Sequence, residues 1–193
     1  MKMVNLVRRI AAATVCACLA VGTATAQGAA EQDRERRRIP VGVDFGVFFP
    51  TDGDTQDAFG STWLRFGLSP LSFQEDNRWK FTFDIGFLHR SEGPNRATLI
   101  PVTFGLTRGF TDGEGDTIPY VAVRVGPYFG DVRVPSVAVD DEKIGFNANA
   151  AVGVSFNKQF YIEARYDVFS DFSGIDFNGF FLNAGFKLFY IRL

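Results

Sequence analysis

Ile39-Pro40-Val41-Gly42-Val43-Asp44-Phe45-Gly46-Val47-Phe48-Phe49 is the stretch from which the fold can be read. Successive side chains of an extended strand point to opposite faces. Ile39, Val41, Val43, Phe45, Val47 and Phe49 therefore share one face, and Gly42, Asp44 and Gly46 share the other. One face is strongly apolar, while the other is small or charged. A period of two of this kind predicts a β-strand with one face in an apolar medium.

The same alternation recurs seven more times, separated by turn-rich stretches. Leu64, Phe66 and Leu68 oppose Arg65, Gly67 and Ser69. Trp79, Phe81, Phe83, Ile85 and Phe87 oppose Lys80, Thr82, Asp84 and Gly86. Further on, Ile100 to Leu106 set their apolar members against Thr103, Gly105 and Thr107, and Val121, Val123 and Val125 against Tyr120, Arg124, Gly126 and Tyr128. The last three segments run over 144–156, 160–168 and 180–190, with Asn147, Asn149, Gly153, Glu163, Arg165, Asp167, Asn183, Gly185 and Lys187 on their polar faces. Eight strands, an even number, are expected.

Which face is the inside decides between two architectures. In a soluble sandwich or lipocalin-like barrel the apolar face packs inward; in a membrane barrel it meets lipid and the small and charged residues fill the lumen. Glycine weakens a water-facing strand, yet nearly every polar face here holds one. A narrow lumen needs small residues beside large ones. Segments of about ten residues also match a tilted strand crossing a bilayer. The sequence therefore predicts an all-β fold, an eight-stranded antiparallel up-and-down transmembrane β-barrel.

Residues 1–26 form a secretory signal peptide: Lys2, Arg8 and Arg9, an apolar run from Ile10 to Val21, and Ala24-Thr25-Ala26 before the expected cleavage. Both cysteines, Cys16 and Cys18, fall inside it, so the mature chain carries no disulfide and no thiolate metal site. Its removal leaves 17 Lys and Arg against 22 Asp and Glu, a net charge of −5. With no basic excess to neutralise phosphates, nucleic acid is not an expected partner. Residues 27–38, QGAAEQDRERRR, hold almost nothing apolar and read as a disordered charged leader, and residues 39–193 are the barrel.

Short connections on one side and longer ones on the other set the expected topology. Asn157-Lys158, Asp112 to Asp116, and Pro70 to Arg78 lie at one end; Thr51 to Ser61, His89 to Arg96, Gly130 to Glu142, and Ser170 to Asp176 are the candidate extracellular loops at the other. Both termini are then periplasmic. Phe49, Phe87, Phe129, Phe156, Phe160, Trp79 and Tyr190 sit near strand ends, where interfacial girdles belong.

The signal peptide, eight strands of period two, the cysteine-free body and the aromatic final strand FFLNAGFKLFY resemble the small eight-stranded outer-membrane barrels of the OmpA, OmpX and OmpW type. The resemblance covers residues 39–193 and is one of pattern. Such chains end on an aromatic residue, whereas this one ends Tyr190-Ile191-Arg192-Leu193. The resemblance implies a porin-like cell-envelope protein of the bacterial outer membrane. It also implies contact with membrane lipid and lipopolysaccharide, passage through the outer-membrane assembly machinery, a monomeric state, and a structural or surface-interaction role without enzymatic activity.

Nine charges fall on the lumen face: Asp44, Arg65, Lys80, Asp84, Arg124, Glu163, Arg165, Asp167 and Lys187. Five cations against four anions in a confined space are expected to pair, because an unpaired buried charge is costly. A packed polar plug is the expected result, with a narrow small-solute channel as the alternative. His89 is the only histidine, and His89-Arg90-Ser91 puts His and Ser on one face. Similar His-x-Ser spacing occurs in outer-membrane lipid A deacylases, so an alternative is a lipid A-modifying hydrolase using His89 and Ser91. Asp52, Asp54 and Asp57, like Asp112, Glu114 and Asp116, read as solvated acidic turns. Neither set matches a full calcium loop, and no cofactor or metal is expected.

Overall fold

The computed structural model describes residues 38–70, 77–111, 115–157 and 159–192, with 38–40, 70, 187 and 189–192 described by backbone alone. The expected signal peptide 1–26 and all of the leader 27–38 except Arg38 lie outside these residues. Eight strands follow in order: β1 Arg38–Pro50, β2 Trp63–Pro70, β3 Lys80–Glu92, β4 Asn95–Gly109, β5 Thr117–Val134, β6 Val139–Phe156, β7 Phe160–Phe169 and β8 Gly179–Arg192. Each pairs antiparallel with the next and β8 closes on β1, giving the expected eight-stranded up-and-down barrel.

The barrel is apolar outside and charged inside. Leu64 is 75% exposed and Phe81 64%, whereas Asp44, Arg65, Asp84, Arg165 and Asp167 are at most 4% exposed. Phe45, Phe66, Leu106, Val123, Phe146, Val152, Ile162, Phe180 and Leu182 extend the exposed apolar surface around the wall. A belt of that extent is incompatible with water and matches hydrocarbon, while barrel closure pairs every strand on both sides. Phe49, Trp79, Phe156 and Phe160 are exposed near the strand ends as the girdle reading expects; Phe87 is exposed but lies five residues inside β3, Phe129 is half-buried five residues inside β5, and the Tyr190 side chain lies outside the described residues.

Two of the expected loops are strand. β3 and β4 continue to Glu92 and Asn95 around a two-residue turn at Gly93-Pro94, and β5 and β6 run 18 residues each to a turn at Pro135–Ala138. A tilted strand needs only about 9–11 residues to cross a bilayer, so the β5–β6 hairpin, with strands of 18 residues, projects well beyond the belt, and the β3–β4 hairpin, with strands of 13 and 15, by a few residues. The stretches His89 to Arg96 and Gly130 to Glu142 read as loops because the sense of the alternation inverts there: Asp131, Arg133, Asp140 and Glu142 take the outer face, while Val132 and Val134 turn inward and are buried.

The Thr51–Ser61 connection holds a short helix, α1, Gly53–Phe59. Asp52 is its N-cap, accepting from the Thr55 backbone N–H at 2.9 Å. The carbonyls of Ala58 and Phe59 at its C-terminal end accept from Asn95 Nδ2 and Arg90 Nε, both at 2.8 Å. The helix is thereby fixed to the β3–β4 hairpin.

Candidate functional site

The lumen brings seven of the nine expected charges into one region. Arg65 Nη2 donates to both oxygens of Asp84, at 2.8 and 2.6 Å, and Arg65 Nη1 donates to Asp44. Arg165 Nη1 reaches the same Asp84 at 3.1 Å, while its Nε donates to Asp167 at 2.6 Å. Arg124 grips Glu163 with two nitrogens, at 2.9 and 3.3 Å, and Tyr120 adds its hydroxyl to the same carboxylate at 3.1 Å. Forked guanidinium–carboxylate pairs are the strongest hydrogen bonds available to a buried charge. Three guanidinium groups thus meet four carboxylates. Lys80 is half-buried at the start of β3, four residues from Asp84, and the Lys187 side chain lies outside the described residues.

Glycine makes the room. A Cβ on Gly67 would meet the Arg65 guanidinium and the Asp44 carboxylate, so the ion pair occupies space that any other residue would fill. Three tyrosines use the same device, with Tyr120, Tyr128 and Tyr161 standing directly opposite Gly153, Gly145 and Gly185 on the neighbouring strands. A Cβ at each of those glycines would enter the facing ring.

Toward the loop end, the lining changes from charged to apolar. Phe48, Trp63, Leu88, Leu99, Tyr128 and Phe181 point inward from six strands and pack with Phe59 of α1 and with Phe172 and Phe177 of the β7–β8 connection. Trp63 meets Phe48, Phe59 and Phe177 edge-on at centroid distances of 5.5–5.8 Å. The connection is tied to α1 by the Thr55 hydroxyl, which donates to the Asp176 carbonyl at 2.6 Å. Sequence reading missed this cap. Its signal is the inward parity of Phe48, Trp63, Leu88 and Phe181, which break the polar rule of their faces.

His89 and Ser91 both lie exposed on the outer wall. His89 stands opposite Thr98 in the β3–β4 ladder, and its Nδ1 shares a 3.0 Å hydrogen bond with the Thr98 hydroxyl. Ser91 stands opposite Arg96, and Glu92 is ion-paired with Arg90 at 2.6 Å. Among the described residues, no bond joins His89 to Ser91.

No family model and no curated protein sequence matches the chain. Among solved structures it is similar to neisserial surface protein A (NspA), with 14% identity over 78% of this chain and 97% of that one and a TM-score of 0.59. It is also similar to the outer membrane enzyme PagL, with 14% identity over 76% of this chain and 99% of that one and a TM-score of 0.55. At such identity the likeness is one of fold. The chain has the fold of the small eight-stranded outer-membrane β-barrels, as the strand pattern leads one to expect.

Proposed function

We propose that this chain is an outer-membrane protein whose barrel conducts nothing and whose work is done by the surface at its loop end. The observation that carries the reading is the double layer inside the barrel: the Arg65–Asp84–Arg165 network, and above it the aromatic cap around Trp63 and Phe181. A solute would have to separate buried ion pairs and then displace packed rings. An eight-stranded barrel has an interior just wide enough for side chains to fill, so little space is left beside them. In this reading both termini face the periplasm, the belt contacts lipid and lipopolysaccharide, and the barrel is a monomer inserted by the outer-membrane assembly machinery.

The reading includes no enzymatic step. A nucleophile needs a base that is itself oriented by a third group, and the acid nearest in sequence, Glu92, is held by Arg90. The test is in two parts. The mature chain should fractionate with outer membranes and shift its gel mobility on boiling, and in planar bilayers it should give no conductance steps. Recovery as a soluble periplasmic protein, or regular steps from the folded barrel, would overturn the proposal.

A further inference from the structure

The protruding sheet has two lateral edges: α1 lies at the β3 edge, and on the β6 side beyond Phe146 the β7–β8 connection bonds, among the described residues, only the inward side chains of Lys143 and Asp141, at 2.9 and 2.8 Å, without pairing with the strand there. On the β3 side, Arg90 and Asn95 dock onto α1, which covers the end of the hairpin. On the β6 side, pairing with β5 runs the whole way to Val139, whereas pairing with β7 begins only at Asn147. β6 from Val139 to Ile144 is therefore a strand edge.

Alternation identifies the groups on that edge. The Ser170 N–H donates to the Phe146 carbonyl at 2.7 Å, and the Phe146 N–H donates to the Ser170 hydroxyl at 2.9 Å, so the backbone of Phe146 faces the β7 side. With a period of two, the N–H and C=O groups of Ile144, Glu142 and Asp140 face the same way. No partner for those groups appears among the described residues, and all three residues are exposed. An edge of this kind is a template for another strand.

The side chains select what can pair there. Asp140, Glu142 and Ile144 share the outer face of β6, with Ile144 67% exposed. Glu142 stands directly opposite Asp131 in the β5–β6 ladder, a like-charge pair, and Asp131 already takes a 3.4 Å contact from Arg96. Asp140 has Arg133 opposite at 4.0 Å, at the limit of an ion pair. Acidic side chains on the edge repel a second copy of the same strand and favour a basic one.

We infer that the β6 edge at Asp140–Ile144 binds an extended basic segment of another protein by strand addition, with Lys or Arg opposite Glu142 and Asp140 and an apolar residue opposite Ile144. Backbone bonding would supply affinity, and alternate side chains would supply choice. This deepens the loop-end reading of the preceding section and rests on it for the edge lying outside the membrane.

The test uses the full mature barrel refolded in detergent micelles, where the edge is accessible regardless of lipid. The probe is a synthetic peptide Val-Thr-Lys-Thr-Lys with flanking glycines, compared with its Glu-for-Lys counterpart and with a copy N-methylated on alternate amides. The basic peptide is expected to bind and to slow amide exchange at Asp140, Glu142 and Ile144, with the acidic and methylated peptides at least about tenfold weaker. Asp140→Lys/Glu142→Lys should reverse the preference. Glu142→Pro should weaken binding while leaving the β5 ladder intact, because the lost N–H faces the edge. Absence of binding, perturbation elsewhere on the barrel, or indifference to the charge reversal would overturn the inference. Failure of the underlying reading would register separately, as loss of the heat-dependent gel shift or appearance of conductance.

Discussion

Arg165 lies beneath Phe181, its guanidinium carbon 4.6 Å from the ring centroid, while its Nε holds Asp167 at 2.6 Å. Phe181 in turn stacks on Phe48 with centroids 4.4 Å apart, and the Arg65 guanidinium approaches the same ring at 5.8 Å. One aromatic side chain thus forms the seam between the charged layer and the apolar cap. A cation can lie against an apolar layer here because the ring face is electron-rich.

That position makes Phe181 the residue whose loss affects both layers. Phe181→Ala should lower stability by about 3–5 kcal/mol through the cavity left in the cap. Phe181→Leu retains most of the volume and should cost about 0.5–2 kcal/mol for the lost cation–π contacts. Urea unfolding in lipid vesicles, followed by tryptophan fluorescence, measures both.

Pairing in the lumen predicts a difference between single and double replacement. Arg124→Met leaves Glu163 buried with only the Tyr120 hydroxyl among the donors named above, which should cost about 3–5 kcal/mol. In Arg124→Met/Glu163→Leu no charge is stranded, and most of that loss should be recovered. A double variant as unstable as the single one would mean that Arg124 acts through its shape and not through its charge partner.

The glycine–tyrosine pairs give a test of packing. A Cβ on Gly185 would enter the Tyr161 ring, so Gly185→Val should cost about 1–3 kcal/mol by overpacking. Adding Tyr161→Ala should relieve that collision while introducing its own cavity, so the two losses should not add. Additive losses in the unfolding midpoint would show that the two side chains do not share the space.

What could be read from the sequence, and what could not, follows from the same physics. In Phe45-Gly46-Val47 or Arg65-Phe66-Gly67 the two faces meet different media, so the alternation reports both strand and side. Phe48, Trp63, Leu88 and Phe181 have the inward parity of Asp44 and Arg65, but their neighbours are also apolar, and a run apolar on both faces has no period. Asp131, Arg133, Asp140 and Glu142 put polar residues on the outer face, with Val132 and Val134 buried on the inner one, so the pattern that marks the spanning strands is reversed in the hairpin and strand reads as loop. The lumen charges were legible as a nearly neutral set. Which arginine meets which acid depends on register, which brings Asp44, Arg65 and Asp84 together from three strands.

The remaining question is whether the outer wall does chemistry. His89 lies at the level where the β4–β6 wall turns from Ile100, Phe129 and Ile144 to Thr98, Asp131 and Glu142. A hydrolase would need a hydroxyl activated by the imidazole and an acid on the ring's other nitrogen. His89 Nδ1 instead shares its 3.0 Å bond with Thr98, and Ser91 is two cross-strand pairs further along, opposite Arg96. The neighbouring carboxylate of Asp131 stands opposite Thr98, on the side of the hydroxyl away from His89, where it cannot orient the ring. Cells expressing the wild type, His89→Ala, Ser91→Ala or Thr98→Ala are therefore expected to show one and the same lipid A acyl pattern by mass spectrometry. Loss of an acyl chain in the wild type alone would establish hydrolysis, and retention of that loss in Ser91→Ala but not in Thr98→Ala would assign the nucleophile to Thr98.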